Sequence, residues 1–211
     1  SDLESACVLC ELGSSSLRRA LYEWQLDHCP QTLAKLASGE ELEEFLLRHD
    51  YSLLHNYYLE QKKPHKAAIL LFEVGFLQKY PHFVLSLQQR LDAYRQILAD
   101  LGDAERQGDA EPYPYIQLSP SFLRRAIDML SLQLEAGLSE TEALDGERLI
   151  EACKRADRPV QALKCMELVG DNNADAILEC WRAILAETWR RCGCCDVNFI
   201  TEVIQTIVLF R

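Results

Sequence analysis

Apolar residues recur three and four apart along nearly the whole chain, the period of helices with one buried face. After Ser14-Ser15-Ser16, which offers N-caps, Leu17, Ala20, Leu21 and Trp24 fall at i, i+3, i+4 and i+7. Pro30 opens a short helix carrying Leu33, Leu36 and Ala37, closed near Gly39. Leu42, Phe45 and Leu46 mark the next, and Asp50 caps one that runs through Leu53, Leu54, Tyr57 and Tyr58. Pro64 cannot continue that helix but suits the first turn of the following one, with Ala67, Ala68, Leu71 and Phe72. Ser86 caps the clearest helix, striped by Leu87, Leu91, Tyr94, Ile97, Leu98 and Leu101 and expected to stop at Gly102. Residues 102–121, punctuated by Gly102, Gly108, Pro112, Pro114 and Pro120, predict the one long connection. Ser119-Pro120 then opens a helix with Leu123, Ala126, Ile127, Leu130 and Leu134, ended by Gly137. Asp145 caps Leu149, Ile150, Cys153 and Ala156, and Pro159 begins Ala162, Leu163 and Met166, closed by Gly170. Asn173 precedes Ile177, Trp181, Ile184, Leu185 and Thr188, broken at Gly193, and Asn198 starts the last apolar stretch. Alternation of period two never persists, so no sheet is expected.

Short helices joined by turns of a few residues form antiparallel hairpins. The stretches at 66–79 and 197–211 are apolar on more than one face, which places a helix inside a stack. The pattern therefore predicts an all-α chain, an irregular α-solenoid of stacked antiparallel helical hairpins, running as a single segment over 1–211. No fixed period of the tetratricopeptide or armadillo kind stands out. Phe199, Ile200, Val203, Ile204, Ile207, Val208, Leu209 and Phe210 crowd the last turns with no polar capping helix, so the segment is expected to be a fragment of a longer protein. The structural core is expected to include Leu21, Trp24, Leu54, Tyr58, Ala67, Leu87, Leu91, Tyr94, Leu98, Leu130, Leu163 and Trp181.

Composition narrows the function more than it names it. Of 211 residues, 48% are hydrophobic, ample for a core. Lys+Arg 22 against Asp+Glu 33 leaves a net charge of -11 with no basic stripe, which argues against binding a phosphate backbone. Arg124-Arg125 and Arg190-Arg191 are too small to change that. The longest apolar run, Ala67 to Phe72, is far short of a membrane span, and Ser1 to Ser5 hold no signal-peptide block. Nine cysteines is a high but odd count; Cys153, Cys165 and Cys180 fall in apolar helix positions and read as reduced, buried small hydrophobes of an intracellular protein. Cys7-Val-Leu-Cys10 places two sulfurs on one helix face, whereas zinc needs four ligands, and neither His28-Cys29 nor Cys192-Gly-Cys194-Cys195 lies at a zinc-finger spacing. The latter cluster lies in a predicted turn and is open to oxidation. His28, His49, His55, His65 and His82 show no metal spacing and are expected at the surface or at helix ends, His28 and His49 near C-termini where the helix dipole favours a cation. Glu40-Glu41 and Glu43-Glu44 read as a solvated helix N-terminus. No nucleophile elbow, zinc-protease pair, phosphate loop or dinucleotide fingerprint is present, so neither catalysis nor a cofactor or metal is expected.

Several segments together resemble one family. Leu21-Tyr-Glu-Trp24 is followed by Leu33, Leu36, Ser38, Leu42-Glu43 and Phe45-Leu46. Leu53-Leu54, Tyr57-Tyr58 and Ala67-Ala68 come next, then Ser86-Leu-Gln-Gln-Arg-Leu91-Asp92 with Ile97-Leu98. Met129, Leu132-Gln-Leu134, Asp157, Pro159, Ala162, Cys165, Ala176 and Trp181 fit more loosely. In order and spacing these resemble the C-terminal helical region of the large inner-ring scaffold nucleoporins, which carry an N-terminal β-propeller before a long α-solenoid. The resemblance covers most of residues 17–190; the 102–121 connection and the Cys192 to Cys195 cluster depart from it. It implies a non-catalytic architectural part of the nuclear pore complex at the nuclear envelope. Its implied partners are other scaffold nucleoporins and short peptide segments of linker nucleoporins, held in grooves between helices. Neither nucleic acid nor direct membrane contact by this segment is implied.

Within the third motif, Arg90 has two readings: a helix-surface ion pair, or a buried Arg pairing across hairpins. Two other functions compete with the nucleoporin reading. One is a solenoid from a vesicle-coat or tethering subunit, which shares the architecture; the other is a redox or metal-binding helical domain using the clustered cysteines.

Overall fold

The computed structural model describes residues 14–29, 39–108, 115, 118–138 and 142–192. Their helices are α1 (Ser15–His28), α2 (Glu40–His49), α3 (Tyr51–Glu60), α4 (Pro64–Gly75), α5 (Leu87–Gln107), α6 (Pro120–Glu135), α7 (Gly146–Arg155), α8 (Pro159–Val169) and α9 (Ala174–Cys192). No strand occurs among the described residues, and the fold is all-α. The expected helices at Pro30 and Asn198, and Gly193, lie outside the described residues.

Most starts use the expected caps, because the first N–H groups of a helix have no partner within it. Asp50 accepts from Ser52 N at 2.8 Å, Asp145 from Arg148 N at 2.9 Å and Asn173 from Ala176 N at 3.2 Å. Ser86 and Gln89 cap each other: Gln89 N donates to Ser86 Oγ at 3.2 Å, and Ser86 N donates to Gln89 Oε1 at 2.9 Å. Pro64, Pro120 and Pro159 all stand at the first helical position.

One stop signal is overturned. α5 runs through Gly102 to Gln107, so the connection begins only at Gly108. A mid-helix glycine costs only about 1 kcal/mol, and the burial of Leu101 and Ala104 on either side outweighs it. Gly108, at φ 71°, adopts the left-handed conformation that ends the helix.

A repeat invisible to short-period inspection emerges from the backbone. α3 with α4 and α7 with α8 are the same hairpin displaced by 95 positions, as Asp50 and Asp145, Leu54 and Leu149, Pro64 and Pro159, Ala67 and Ala162, and Gly75 and Gly170 show. Both connections end the first helix with a left-handed residue, Lys62 and Asp157, each at φ 55°. Lys63 N bonds Tyr58 O at 2.8 Å and Arg158 N bonds Cys153 O at 2.8 Å, closing identical Schellman turns. Lys63 then sits at φ -118°, ψ 60° and Arg158 at φ -117°, ψ 64°, and proline opens the second helix. Leu54, Leu149, Ala67 and Ala162 are all buried, so equivalent positions do equivalent packing.

Contacts divide the chain into two compact units. The first holds α1 to α4 and α5 from Asp92 onward; the second holds Leu85–Leu91 and α6 to α9. In the first, α1 packs on α2, α2 on α3 and α3 on α4. Its core includes Leu42, Phe45, Leu54, Tyr57, Phe72 and Ile97. In the second, α8 packs against α6, α7 and α9, around Leu132, Leu149, Leu163, Met166, Cys180 and Ile184. Consecutive helices thus pack as expected of a solenoid-like stack.

Replacing Leu91, only 3% exposed, with Asp should cost about 3–5 kcal/mol in urea unfolding, from lost packing and a buried charge. An unchanged midpoint contradicts its place in the core. Lys62→Gly should raise stability by about 0.5–1 kcal/mol, because it relieves a left-handed lysine; Asp157→Gly should gain less, since Asp tolerates that conformation better.

Candidate functional site

Two buried polar clusters and two clefts stand out from the apolar packing. α3 and α5 bring together His55, 8% exposed, and Asp100, 1% exposed. His55 Nε2 lies 2.8 Å from Asp100 Oδ2, and Gln96 Nε2 donates to Asp100 Oδ1 at 2.9 Å. For His55, buried in the middle of α3, this corrects the expectation that the histidines lie at the surface or at helix ends; His65 is buried too, but stands in the first turn of α4. At the place of His55 the second hairpin carries buried Ile150. A His–Asp contact is a common element of acid–base chemistry, but this one is closed to solvent, and both carboxylate oxygens are engaged by neighbouring side chains. It ties α3 to α5.

The second cluster centres on Glu73 of α4. Its carboxylate accepts from Lys79 Nζ at 2.7 Å, Tyr80 OH at 2.7 Å and Tyr115 OH at 2.9 Å. Burial alone would raise the Glu73 pKa; the hydrogen bonds from Lys79, Tyr80 and Tyr115 outweigh it and hold the carboxyl below its ordinary range. Tyr115 also packs on Phe72, ring centroids 5.4 Å apart. One acid thereby pins the loop after α4 and a residue of the connection after α5.

The larger cleft, about 340 Å³, lies between α1 and α2 and is lined by Ser15, Arg19, Tyr22, Glu23, Glu44 and Phe45 among others. Its walls are held by Arg18 Nε donating to Glu41 Oε2 at 2.6 Å, and Tyr22 meets Phe45 at 5.4 Å between centroids. A smaller cleft of about 220 Å³ is lined by Lys154, Asp157, Pro159, Glu179, Cys180 and Ala183. Neither lining gathers a nucleophile, a base and an orienting group.

The expected core residues divide. Leu54, Tyr58, Ala67, Leu87, Leu91, Tyr94, Leu130 and Leu163 are buried. Leu21, Leu98 and Trp181 are half-buried. Trp24 is corrected: it is 48% exposed, and its ring stacks on His28 at 4.7 Å. α1 turns Tyr22 and Gln25 inward instead, leaving Leu17 and Trp24 outside. His28 and His49 do end their helices, with Nδ1 at 2.8 Å from Trp24 O and 2.9 Å from Phe45 O. Arg90 is buried, not a surface ion pair; its Nε donates to Leu85 O at 3.3 Å.

Cys153, Cys165 and Cys180 are free and buried in the core of the second unit, and Cys29 is exposed. Burial pushes the Cys153 thiol up to about 11 and the Cys165 thiol up to about 12. Cys165 Sγ lies 3.8 Å from Met129 Sδ and 3.6 Å from Gly146 O. Among the described residues no group of three or more His, Cys, Asp or Glu is placed to hold a metal. Cys7, Cys10 and the Cys194-Cys195 pair lie outside the described residues, and the Cys192 side chain does too.

Sequence reasoning missed the His55–Asp100 pair because its partners are distant in the chain and each looks ordinary alone. The 95-residue offset is the signal that could have found it, since it sets His55 against an apolar Ile150.

His55→Ile should cost about 3–5 kcal/mol by stranding buried Asp100, and adding Asp100→Leu should recover most of that in a double-mutant cycle. Additive losses would contradict a direct coupling. The raised thiols set an alkaline limit. Their folded pKa values exceed the unfolded value, so the folded state keeps protons that the unfolded state releases. Stability of the second unit should hold below about pH 9 and decline as pH rises towards 12, measured by thermal melts; Cys153→Ala/Cys165→Ala should flatten that decline. Compared with known proteins, the chain matches no family model and no curated protein.

Proposed function

We propose that this chain is a structural scaffold segment of the nuclear pore complex inner ring, joining other nucleoporins through its helical surfaces and grooves. The observation that carries the reading is where the motif residues fall. Leu42, Phe45, Leu46, Leu54, Tyr57, Tyr58, Ala67 and Ala68 are buried in the first unit. Ser86 and Gln89 form a reciprocal cap, and Leu87, Leu91 and Ile97 are buried beyond it. These residues, which carry much of the family resemblance, shape the helices and their spacing, as a scaffold requires; Trp24, which also carries it, is exposed. Nothing in the described clefts assembles catalytic roles, and the α1–α2 cleft has the aromatic floor and charged walls that suit a short peptide. The excess of acid would steer basic or neutral peptides towards the surface.

Affinity capture of the chain from lysate of its own organism, with mass spectrometry, tests the reading. Recovery of scaffold and linker nucleoporins is expected. Recovery of vesicle-coat or tethering subunits without any nucleoporin would assign it to the other solenoid class.

A further inference from the structure

Glu73 stands where the hairpin frame does not ask for an acid. It lies in the last turn of α4, the end of a helix that disfavours an anion, and its side chain is only 13% exposed. At the offset of 95 positions the second hairpin carries Leu168 in its place, with Glu167 for Phe72 and Asp171 for Phe76. The shared frame therefore requires neither the acid nor the two rings beside it. Together they build a socket that belongs to the first hairpin alone.

α4 and the loop after it form the socket between them. Phe72 and Phe76 stack with centroids 4.8 Å apart, 11° from parallel. The loop is tied to the same turn, since Leu77 N donates to Phe72 O at 3.1 Å and Lys79 N to Glu73 O at 2.9 Å. From that loop Lys79 Nζ and Tyr80 OH each reach Glu73 at 2.7 Å, which fixes the direction of its carboxylate. Glu73 is ionised at neutral pH, and an ionised carboxylate only accepts. The occupant is Tyr115, the one residue of 109–117 that the structure describes, half-buried. Its hydroxyl donates to Glu73 Oε1 at 2.9 Å, and its ring centroid lies 5.4 Å from that of Phe72. The socket thus engages a flat apolar ring and a hydroxyl donor at its far end. A phenylalanine would forgo the hydrogen bond. A phosphotyrosine would set about two negative charges against Glu73, whose lysine partner is already engaged.

We propose that Phe72, Glu73, Lys79 and Tyr80 form a socket for an unmodified tyrosine side chain, filled in cis by Tyr115 and taken by a tyrosine of a partner's peptide when Tyr115 gives way. Tyr115 is then an autoinhibitory ligand. One hydrogen bond and one ring contact hold it, a grip light enough to exchange. The socket is independent of the scaffold role proposed above.

The test titrates the whole chain with N-acetyl-tyrosinamide and follows the backbone amide NMR shifts of residues 72–80. In Tyr115→Ala the probe should shift them saturably, at least about tenfold more tightly than in the parent, where Tyr115 competes at an effective concentration on the order of millimolar. N-acetyl-phenylalaninamide should bind Tyr115→Ala at least about fivefold more weakly than the tyrosine probe, for want of the hydrogen bond. The phosphotyrosine amide should leave these amides unshifted. Adding Glu73→Leu, the residue of the second hairpin, should erase the preference for tyrosine over phenylalanine. If Tyr115→Ala does not fold, Tyr115→Phe supplies the comparison: it lacks only the hydroxyl, and the tyrosine probe should bind it at least about threefold more tightly than the parent. Equal affinity for parent and variant overturns the proposal, as does the absence of a saturable shift. Equal binding of the tyrosine and phenylalanine probes, or tightest binding of the phosphotyrosine amide, overturns it as well.

Discussion

A helix inside a stack has two apolar faces, and the chain must cover both. α4 is the clearest case: nine of its twelve residues are buried. Burial of that extent supplies most of the favourable free energy, since each large apolar side chain removed from water contributes about 1.5–3 kcal/mol. It also dictates residue size. Ala67 and Ala68, fully buried, leave room for neighbouring helices to approach. The same demand recurs in α8, where Ala162 and Leu163 take the corresponding places.

Where two faces are covered, polar groups inside must find partners within the protein. The first unit meets this with His55, Asp100 and Gln96, and with Glu73 receiving three donors. The second unit meets it with Gln133, which donates to Glu142 O and accepts from Leu144 N, and otherwise places Ile150 and three thiols in its interior. These are two solutions built on one hairpin frame, whose turn geometry is preserved to within a few degrees at Lys63 and Arg158.

Helix starts were legible because capping is local: Asp50, Ser86, Ser119 and Asp145 announce themselves within four residues. Gly102 misled because a glycine's local cost is small beside the tertiary burial around it. Trp24 misled for the opposite reason. The stripe Leu17, Leu21 and Trp24 has perfect helical spacing, yet α1 faces α2 through Tyr22 and buries Gln25. Periodicity reports that a face exists, not which face meets a neighbour. The polar clusters were illegible because His55 finds Asp100 forty-five residues away. The repeat was missed because its period spans several helices, longer than the repeats that inspection seeks.

The central claim is that covering two-faced helices organises this chain. Native-state hydrogen exchange resolved by residue measures it directly, because exchange reports local opening free energy. The account predicts the slowest amides in the buried middles of α4, at Ala67 to Phe72, and α8, at Ala162 to Met166, with α1 exchanging fastest. Equal protection in α1 and α4, or faster exchange in α4 than in α2, would contradict it.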